Sequence, residues 1–244
     1  MSKRQKIRRS LLIFMFFFFP ITITWLSPYL PLIYALIGGI LAGAVIIFAL
    51  QFLASLFLGR IFCGYICSAA GLQECLMRVS EKNIKSPKLS LIKFFIWVPW
   101  LITLIVFFVL VGGLKKIDFF AGTTDNWIFL NEPYRFVIYF GVVLLIAILH
   151  LSVGKRAFCH CVCWMAPFMI IGVKISKLLK LPRLRLKCQS ESCINCKQCS
   201  KKCPMSLDVM SMVKTADMDN PECILCGECV DVCAKKVIEY TFRN

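Results

Sequence analysis

The sequence has few charged residues and lacks the motifs of nucleotide chemistry. Only 17% of its 244 residues are charged, while 59% are hydrophobic. In a typical soluble domain about a quarter of the residues are charged, so this composition predicts an integral membrane protein instead. No Gly-rich phosphate loop, dinucleotide-binding fingerprint or nucleophile elbow is present, which leaves nucleotide binding and hydrolysis without support. The apolar stretches contain almost no acids, which disfavours an ion pathway through this chain alone.

Histidine is also scarce, with only His150 and His160 in the chain. A membrane-embedded b-type haem generally takes axial histidines from two facing helices. Here only one apolar stretch ends near a histidine, so a second axial ligand is missing. The Cys-x-x-Cys-His signature of covalent haem is absent as well. We therefore expect no haem. His150 is interpreted as a hydrogen-bonded interfacial residue, although it could also meet a quinone headgroup.

Acidic residues are few outside the C-terminal tail. The chain has 29 Lys and Arg against 13 Asp and Glu, a formal charge of +16, whereas residues 188–244 hold seven basic and eight acidic residues. The basic excess therefore belongs to the segments that flank the apolar stretches. We expect membrane lipid, and no nucleic acid, as a partner.

Four apolar stretches lie at about residues 10–27, 32–58, 92–111 and 134–153. Each approaches the roughly 20 residues that a helix needs to cross a bilayer, and Pro20 is expected to kink the first. Lys and Arg number five in residues 1–10 and six in residues 59–93, but only three in residues 112–135. The positive-inside rule then predicts a multi-pass protein of the cytoplasmic (inner) membrane with both termini, and hence the tail, in the cytoplasm.

An internal repeat relates the two halves of the apolar region. Residues 59–67 (GRIFCGYIC) closely parallel residues 155–163 (KRAFCHCVC), 96 positions later. Each copy follows an even-numbered apolar stretch, so both emerge on the cytoplasmic side. The repeat predicts four transmembrane helices arranged as two parallel hairpins about an axis along the membrane normal.

Each copy carries two cysteines four residues apart, a spacing that places both sulfurs on one helix face. The symmetry brings both pairs to one membrane depth, so we predict a third metal centre held by Cys63, Cys67, Cys159 and Cys163. Three neighbouring basic residues would offset the charge of a thiolate-bound centre, and these are Arg60, Lys155 and Arg156.

Several alternatives stay open for these cysteines. They could be ordinary buried cysteines, or could hold zinc or form disulfides, although a disulfide facing the cytosol would not persist. Cys75, Cys161 and His160 are weaker ligand candidates because they have no counterpart in the other copy. Four thiols do not specify whether an iron–sulfur centre would be two-iron or four-iron.

The tail repeats a run of three closely spaced cysteines followed by a fourth, with an offset of 30 residues. This is the spacing of bacterial two-cluster ferredoxins, in which the fourth cysteine binds the other cluster. A zinc site uses two pairs of thiolates instead of this pattern. Cys188 has no partner in the pattern and is interpreted as an incidental thiol. Two [4Fe–4S] clusters are predicted, one held by Cys193, Cys196, Cys199 and Cys233, the other by Cys223, Cys226, Cys229 and Cys203.

Three domains are therefore expected. They are a four-helix transmembrane domain at 1–167, a basic amphipathic connector at 168–187 and a two-cluster ferredoxin domain at 188–244. The connector is interpreted as a helix lying on anionic headgroups. The fold class is an α-helical integral membrane protein with a C-terminal α+β ferredoxin domain.

With its four apolar stretches, paired Cys-x3-Cys motifs and the tail sequence CILCGEC at 223–229, the chain resembles the NapH-like membrane ferredoxins. These are quinol-dehydrogenase subunits of periplasmic nitrate reductase systems, related to NosR-like proteins of anaerobic respiration. In that family the Cys-x3-Cys motif typically ends in proline, whereas Ser68 and Trp164 stand there in this chain. The resemblance implies an electron-transfer oxidoreductase subunit that exchanges electrons with quinol or a cytoplasmic ferredoxin and with a redox partner protein.

Two other functions are kept as hypotheses. A membrane-tethered ferredoxin could act as a redox sensor, or as an electron donor for maturation of an anaerobic enzyme. A zinc-stabilised membrane scaffold would contain neither iron nor acid-labile sulfide. A homodimer is compatible with the lipid-facing surface of the hairpin repeat. The sequence leaves the donor, the acceptor and the direction of electron flow undetermined.

Overall fold

The computed structural model describes residues 2–25, 40–84, 86, 88–113, 115–118 and 133–243. The chain begins with helix α1 (Lys3–Phe17), which the Ser2 hydroxyl caps by accepting from the Gln5 N–H, and continues as α2 (Phe19–Trp25). The helices are separated at Phe18, two residues before Pro20. Proline has no N–H to donate and its ring crowds the preceding turn, so the first predicted span is interrupted there.

Seven further helices and two strands of the described residues build the rest of the apolar region. Helix α3 (Gly43–Leu58) leads into α4 (Ile61–Tyr65) and α5 (Ser68–Leu76); α6 (Leu89–Leu110) and α7 (Pro133–Ser152) precede α8 (Ala157–Cys161) and α9 (Met165–Leu178). Strands β1 (Ile40–Ala42) and β2 (Lys116–Asp118) pair in parallel. The predicted turn at 27–31 and most of the predicted outer loop at 112–133 lie outside the described residues.

Helix α6 is the one helix in the described ranges that is long and apolar enough to cross a membrane. It corresponds to the predicted span at 92–111. Shorter apolar helical segments lie at Val45–Leu58 and Phe136–Ser152, within the predicted second and fourth spans. Large apolar side chains are exposed along these helices, including Phe95, Leu110 and Val137.

The two copies of the repeat adopt the same local structure. In each copy a five-residue helix, α4 or α8, carries the first motif cysteine in its centre. The next two residues then both donate their N–H to the carbonyl of the helix phenylalanine. These bonds run from Ile66 and Cys67 to Phe62 and from Val162 and Cys163 to Phe158.

The segment after the repeat differs from the predicted connector at 168–187. Helix α9 packs against α3, with Met169 and Val173 buried, so its apolar face contacts protein. Its lysines, such as Lys174, are exposed. Residues 183–187 belong to strand β3 (Arg183–Cys188), which pairs antiparallel with β4 (Ile238–Arg243). The sheet therefore begins before the predicted domain start at residue 188.

Between these strands lie the short helices of the tail, α10 (Gln198–Lys202), α11 (Val209–Lys214) and α12 (Glu228–Val232). A single hydrophobic core joins this C-terminal unit (residues 183–243) to the repeat. It contains Cys63 and Cys159 of the motifs together with Ile224 and Leu225 of the tail. The C-terminal unit is thus packed onto the two repeat motifs.

Candidate metal centres

The tail cysteines line two separate cavities. One is lined by Cys193, Cys196, Cys199 and Cys233, and the other by Cys203, Cys223, Cys226 and Cys229. This grouping is the one that the crossed ferredoxin pattern predicts, while ligation itself stays a prediction. Within the described ranges, no three His, Cys, Asp or Glu side chains are arranged to hold a single metal ion. A cubane binds each thiolate through a different iron, so its ligand sulfurs stand farther apart than those around one zinc, where they are about 3.8 Å apart.

The loops that carry these cysteines share an unusual backbone conformation. Asn195 and Lys197 have φ values of 57° and 59°, and the equivalent Leu225 and Gly227 have values of 52° and 75°. Left-handed residues set among right-handed ones form nests, in which successive backbone N–H groups point into one concavity. Such concavities bind anionic iron–sulfur clusters, so the loop geometry fits the predicted group.

Burial distinguishes the two tail cavities. Cys203, Cys226 and Cys229 are buried, whereas Cys196 is exposed. Burial raises the pKa of the Cys203 thiol to about 12 and that of Cys226 to about 11, because a thiolate loses its hydration there. Metal coordination would stabilise the thiolates and offset that cost.

The structure brings the four motif cysteines together. Burial, followed by the proximity of Cys159, Cys67 and Cys63, raises the pKa of the Cys163 thiol well above its ordinary value. Burial and the proximity of Cys63 and Cys159 raise the pKa of Cys67 to about 12. The two pairs therefore lie near one another, as the repeat predicts.

Two fully buried arginines accompany these thiols. Arg60 is close to Cys63, and Arg156 is close to both Cys159 and Cys67. The Nε atom of each guanidinium is buried and has no hydrogen-bond acceptor among the described residues. An unpaired buried N–H is costly, and the thiolates and sulfides of an anionic cluster would supply acceptors. This donor set fits an iron–sulfur centre. Lys155 instead donates to the Lys201 carbonyl in the tail, at 3.0 Å.

The weaker ligand candidates have other partners. His160 Nδ1 lies 2.6 Å from the Ser90 hydroxyl, and His150 Nε2 lies 3.2 Å from the Ser80 carbonyl. Cys188 donates to the Val213 carbonyl at 3.7 Å. Cys161 is buried and Cys75 is partly exposed.

A buried ion network, which the sequence analysis missed, joins the N-terminal helix to both the repeat and the tail. The Glu74 carboxylate accepts two bonds from the fully buried Arg8, at 2.7 and 3.1 Å, and one from Arg156, at 3.0 Å. Glu228 in the tail accepts from both Arg8, at 3.1 Å, and Arg9, at 3.0 Å. In the sequence, the basic run at residues 3–9 indicates only a membrane-flanking segment. The acids beside the tail cysteines were the sequence signal for its second role.

The tail meets the first motif through a close backbone contact. A Cβ atom added at Gly64 would collide with the carbonyl oxygen of Ile224, so only glycine fits at this approach. Arg60 fixes the same contact from the side, since it donates to the Pro221 carbonyl at 3.3 Å and to Glu222 at 2.8 Å. Lys93, also buried, is a second partner of Glu222 at 2.5 Å. The loop of the second tail cavity is thereby seated on the helix that carries Cys63.

An apolar cavity adjoins the motif cysteines on their other side. Cys67 and Cys163 line it together with aromatic residues that include Phe62, Phe158 and Trp164. Among the residues that the structure describes, two hydroxyls line this cavity, those of Thr22 and Ser68, and no carboxylate or basic side chain does.

Comparisons with known proteins agree with this arrangement. The 4Fe–4S dicluster domain family matches residues 192–238, and a 4Fe–4S binding domain family matches twice, at residues 40–87 and 134–182. The double match confirms the internal repeat. No solved structure shows a significant match to the chain.

Three curated relatives extend the comparison. The uncharacterized protein MJ0750 of Methanocaldococcus jannaschii is 30% identical over 213 residues, which cover 84% of this chain and 80% of the relative. YccM of Escherichia coli, whose name describes it as an electron transport protein, is 24% identical over 82% of this chain and 57% of its own length. One component of the ion-translocating oxidoreductase complex of Methanosarcina acetivorans is 42% identical over 48 residues, 19% of this chain and 17% of that component.

These matches, with the two tail cavities, show that the C-terminal unit is a 4Fe–4S ferredoxin-type domain and that the protein transfers electrons through iron–sulfur chemistry. The chain belongs to the same family as the uncharacterized protein MJ0750 of Methanocaldococcus jannaschii, and its 4Fe–4S domains make it an iron–sulfur electron-transfer protein.

Proposed function

We propose that this protein is a multi-pass NapH-like membrane ferredoxin of the cytoplasmic membrane. It relays electrons between a cytoplasmic donor or quinol and a redox partner at or across the membrane. Residues 1–167 form the four-span membrane domain. The ferredoxin domain lies on the cytoplasmic side and, in this proposal, starts with strand β3 at Arg183.

The exposed apolar surface supports the membrane assignment. Along α6, Phe95 is 78% exposed and Leu110 is 75% exposed, and Val137 on α7 is 74% exposed. Contiguous apolar surface of this kind is rare on soluble monomers, because water solvates it poorly. Hydrocarbon tails would cover it. The basic residues of the cytoplasmic loops would then lie at the headgroups, as the positive-inside rule requires.

The tail cysteines would hold two [4Fe–4S] clusters in the crossed arrangement. One cluster would bind Cys193, Cys196, Cys199 and Cys233, and the other Cys203, Cys223, Cys226 and Cys229. The clusters supply one-electron redox chemistry, and the protein positions them and tunes their potentials. The nest N–H groups of the loops would donate to the sulfurs and stabilise the reduced, more negative state.

Cys63, Cys67, Cys159 and Cys163 would hold a third iron–sulfur centre. Both copies of the 4Fe–4S binding domain match span these pairs, which supports an iron–sulfur occupant over zinc. The buried Arg60 and Arg156 would neutralise much of its negative charge. Without such charges a buried anionic centre would be strongly disfavoured.

The seating of the second tail loop on the first motif is the observation that carries the proposal. The Arg60 carbonyl accepts from the Cys63 N–H at 3.0 Å, and the Arg60 side chain pairs with Glu222, the neighbour of Cys223. Cys199 of the first tail set lies near Cys229 of the second. The three cysteine sets therefore follow one another from the exposed end of the tail to the motif cysteines, as a relay requires.

Iron and acid-labile sulfide, measured per chain in anaerobically purified protein, test the proposal. Wild type should contain more than eight irons, since two [4Fe–4S] clusters account for eight. The double variant Cys63→Ala/Cys159→Ala should fall to eight. As a matched control, Cys75→Ala/Cys188→Ala removes two cysteines outside the three sets and should keep the wild-type content. Eight irons in all three proteins would exclude the third centre and leave a membrane-tethered ferredoxin.

A further inference from the structure

The two cysteine loops of the tail are equivalent in sequence but differ in their surroundings. We call residues 222–231 the docked loop and residues 192–201, thirty positions earlier, the open loop. Ile224 of the docked loop is 2% exposed because it packs against the first motif, whereas the equivalent Ile194 is 58% exposed. Cys226 is buried and its equivalent Cys196 is exposed. The open loop thus presents to solvent the surface that the docked loop uses for an interface.

The two loops also differ in charge: the docked loop is acidic at positions where the open loop is neutral or basic. Three acids of the docked loop pair with basic residues of this chain: Glu222 with Arg60, Glu228 with Arg8 and Asp231 with Arg4. At the equivalent positions of the open loop stand Ser192, Gln198 and Lys201. The open loop therefore has no acid at these three positions and has a base at one of them.

Three further lysines lie in or beside the open loop. Lys197 and Lys235 line the same cavity as Cys193, Cys196, Cys199 and Cys233, and Lys236 follows directly. All three are exposed, and none forms an ion pair with any residue in the described ranges. Two acids lie beside the loop: Glu191, which precedes it in sequence, and Asp208, whose carboxylate accepts from the Ser200 hydroxyl at 3.1 Å. Although the tail as a whole is nearly neutral, three of its eight acids pair with bases on the docked side, so the bases of the open side outnumber its acids.

We propose that the open loop and these lysines form the docking surface for an acidic one-electron carrier protein. This proposal rests on one part of the proposed function, namely that the tail cysteines hold [4Fe–4S] clusters. On contact, one electron moves between the carrier and the [4Fe–4S] cluster of Cys193, Cys196, Cys199 and Cys233. When the reduced carrier is the donor, it is oxidised by one electron and the cluster is reduced by one.

The apolar centre of this surface favours a protein partner over a lipid headgroup. Ile194 and Cys196 are exposed at its middle, with lysines around them. An apolar core with a charged rim is the usual anatomy of a protein interface. Complementary charge around such a core steers the partner and accelerates association by 10- to 1,000-fold at low salt.

The test uses the full-length protein in nanodiscs of zwitterionic lipid and a reduced plant-type [2Fe–2S] ferredoxin, an acidic carrier, as the probe. Stopped-flow absorbance measures the second-order rate of electron transfer. The patch variant is Lys197→Glu/Lys235→Glu/Lys236→Glu. The control, Lys88→Glu/Lys174→Glu/Lys180→Glu, makes the same charge change at exposed lysines outside the tail. EPR after dithionite reduction verifies that both variants retain their tail clusters.

The wild-type rate should fall steeply with added salt. At low salt the patch variant should be slower by about tenfold or more, and the control by less than about twofold. Basic cytochrome c, oxidising the reduced protein, should not be slowed by the patch variant. Equal losses in both variants, or a salt-independent wild-type rate, would overturn the proposal. So would an unchanged rate with loss of phosphatidylglycerol-vesicle binding, which would identify a lipid site. A missing third centre leaves this readout intact, whereas absent tail clusters would show directly in EPR.

Discussion

Replacing Glu74 by Gln should strongly destabilise the packing of the N-terminal helix onto the repeat. The Glu74 side chain is 2% exposed, and it is shared between the fully buried Arg8 and Arg156. Glutamine keeps the shape but removes the negative charge. Among the described residues, Arg156 would then have only neutral acceptors, the Cys63 carbonyl at 3.3 Å and the glutamine amide oxygen.

The expected cost follows from the burial of both partners. Breaking a buried ion pair by neutralising one member costs about 3–5 kcal/mol, because the other charge stays desolvated. Gln can still accept a hydrogen bond, so we expect about 3 kcal/mol. With a urea dependence of about 2 kcal/mol per molar, the unfolding midpoint should fall by about 1.5 M.

The pH dependence has a definite sign. Burial raises the pKa of Glu74, but Arg156 and Arg8 lower it more, so the folded pKa lies below its ordinary value. A depressed carboxyl pKa stabilises the fold above the unfolded pKa, about 4.3, and this contribution is lost as pH falls through the folded pKa. The difference between wild type and Glu74→Gln should therefore be constant from pH 5 to 8 and shrink in more acidic solution.

Tryptophan fluorescence of the detergent-solubilised protein in urea measures the midpoint. Glu81→Gln is the matched control, since Glu81 pairs with Lys202 at 3.2 Å but both side chains are about half exposed. Exposed pairs contribute about 0–1 kcal/mol. A midpoint for Glu74→Gln that equals that of Glu81→Gln would refute the reasoning about the buried network.

Two further predictions concern the contact between the tail and the first motif. Gly64→Ala should cost about 1–3 kcal/mol in urea unfolding, since its Cβ meets the Ile224 backbone. Gly141→Ala, with nothing within 4 Å, should instead be neutral or stabilising by up to about 1 kcal/mol. Arg60→Gln should lower the reduction potential of the proposed third centre in an EPR-monitored redox titration, because a buried positive charge that favours the reduced state is lost. Lys180→Gln, at an exposed lysine, should leave that potential unchanged; equal potentials in wild type and Arg60→Gln would contradict the placement of Arg60.

The grouping of the tail cysteines could be read from sequence because ligand spacing is local. Three cysteines within seven residues can line one cavity only if the chain between them forms a tight loop. The fourth cysteine of each set is the one that follows the other copy of the repeat. The pairing of Cys63 and Cys67 with Cys159 and Cys163 followed likewise from the internal symmetry.

The ion network could not be predicted in the same way. Arg8 and Glu228 are 220 positions apart, and the sequence holds many bases and acids that could have paired. A basic N-terminal run is also typical of membrane proteins in general, which concealed its contacts with the tail.

The connector shows a different limit of sequence patterns. The amphipathic pattern of α9 indicates one apolar face, but a lipid surface and the neighbouring helix α3 satisfy that face equally well. In residues 183–188 (RLRLKC) the alternation of basic and apolar residues is typical of a strand. This period of two predicts strand β3. The basic charge of the same residues favours a segment on the membrane surface instead.

The EPR spectrum of the fully reduced protein tests the central claim, that the motif cysteines hold a centre next to the tail clusters. Wild type should show the signal of an additional centre, with magnetic interaction between it and the tail cluster bound near Arg60. In Cys63→Ala/Cys159→Ala the spectrum should reduce to that of a two-cluster ferredoxin. Identical spectra from the wild type and the variant would contradict the claim.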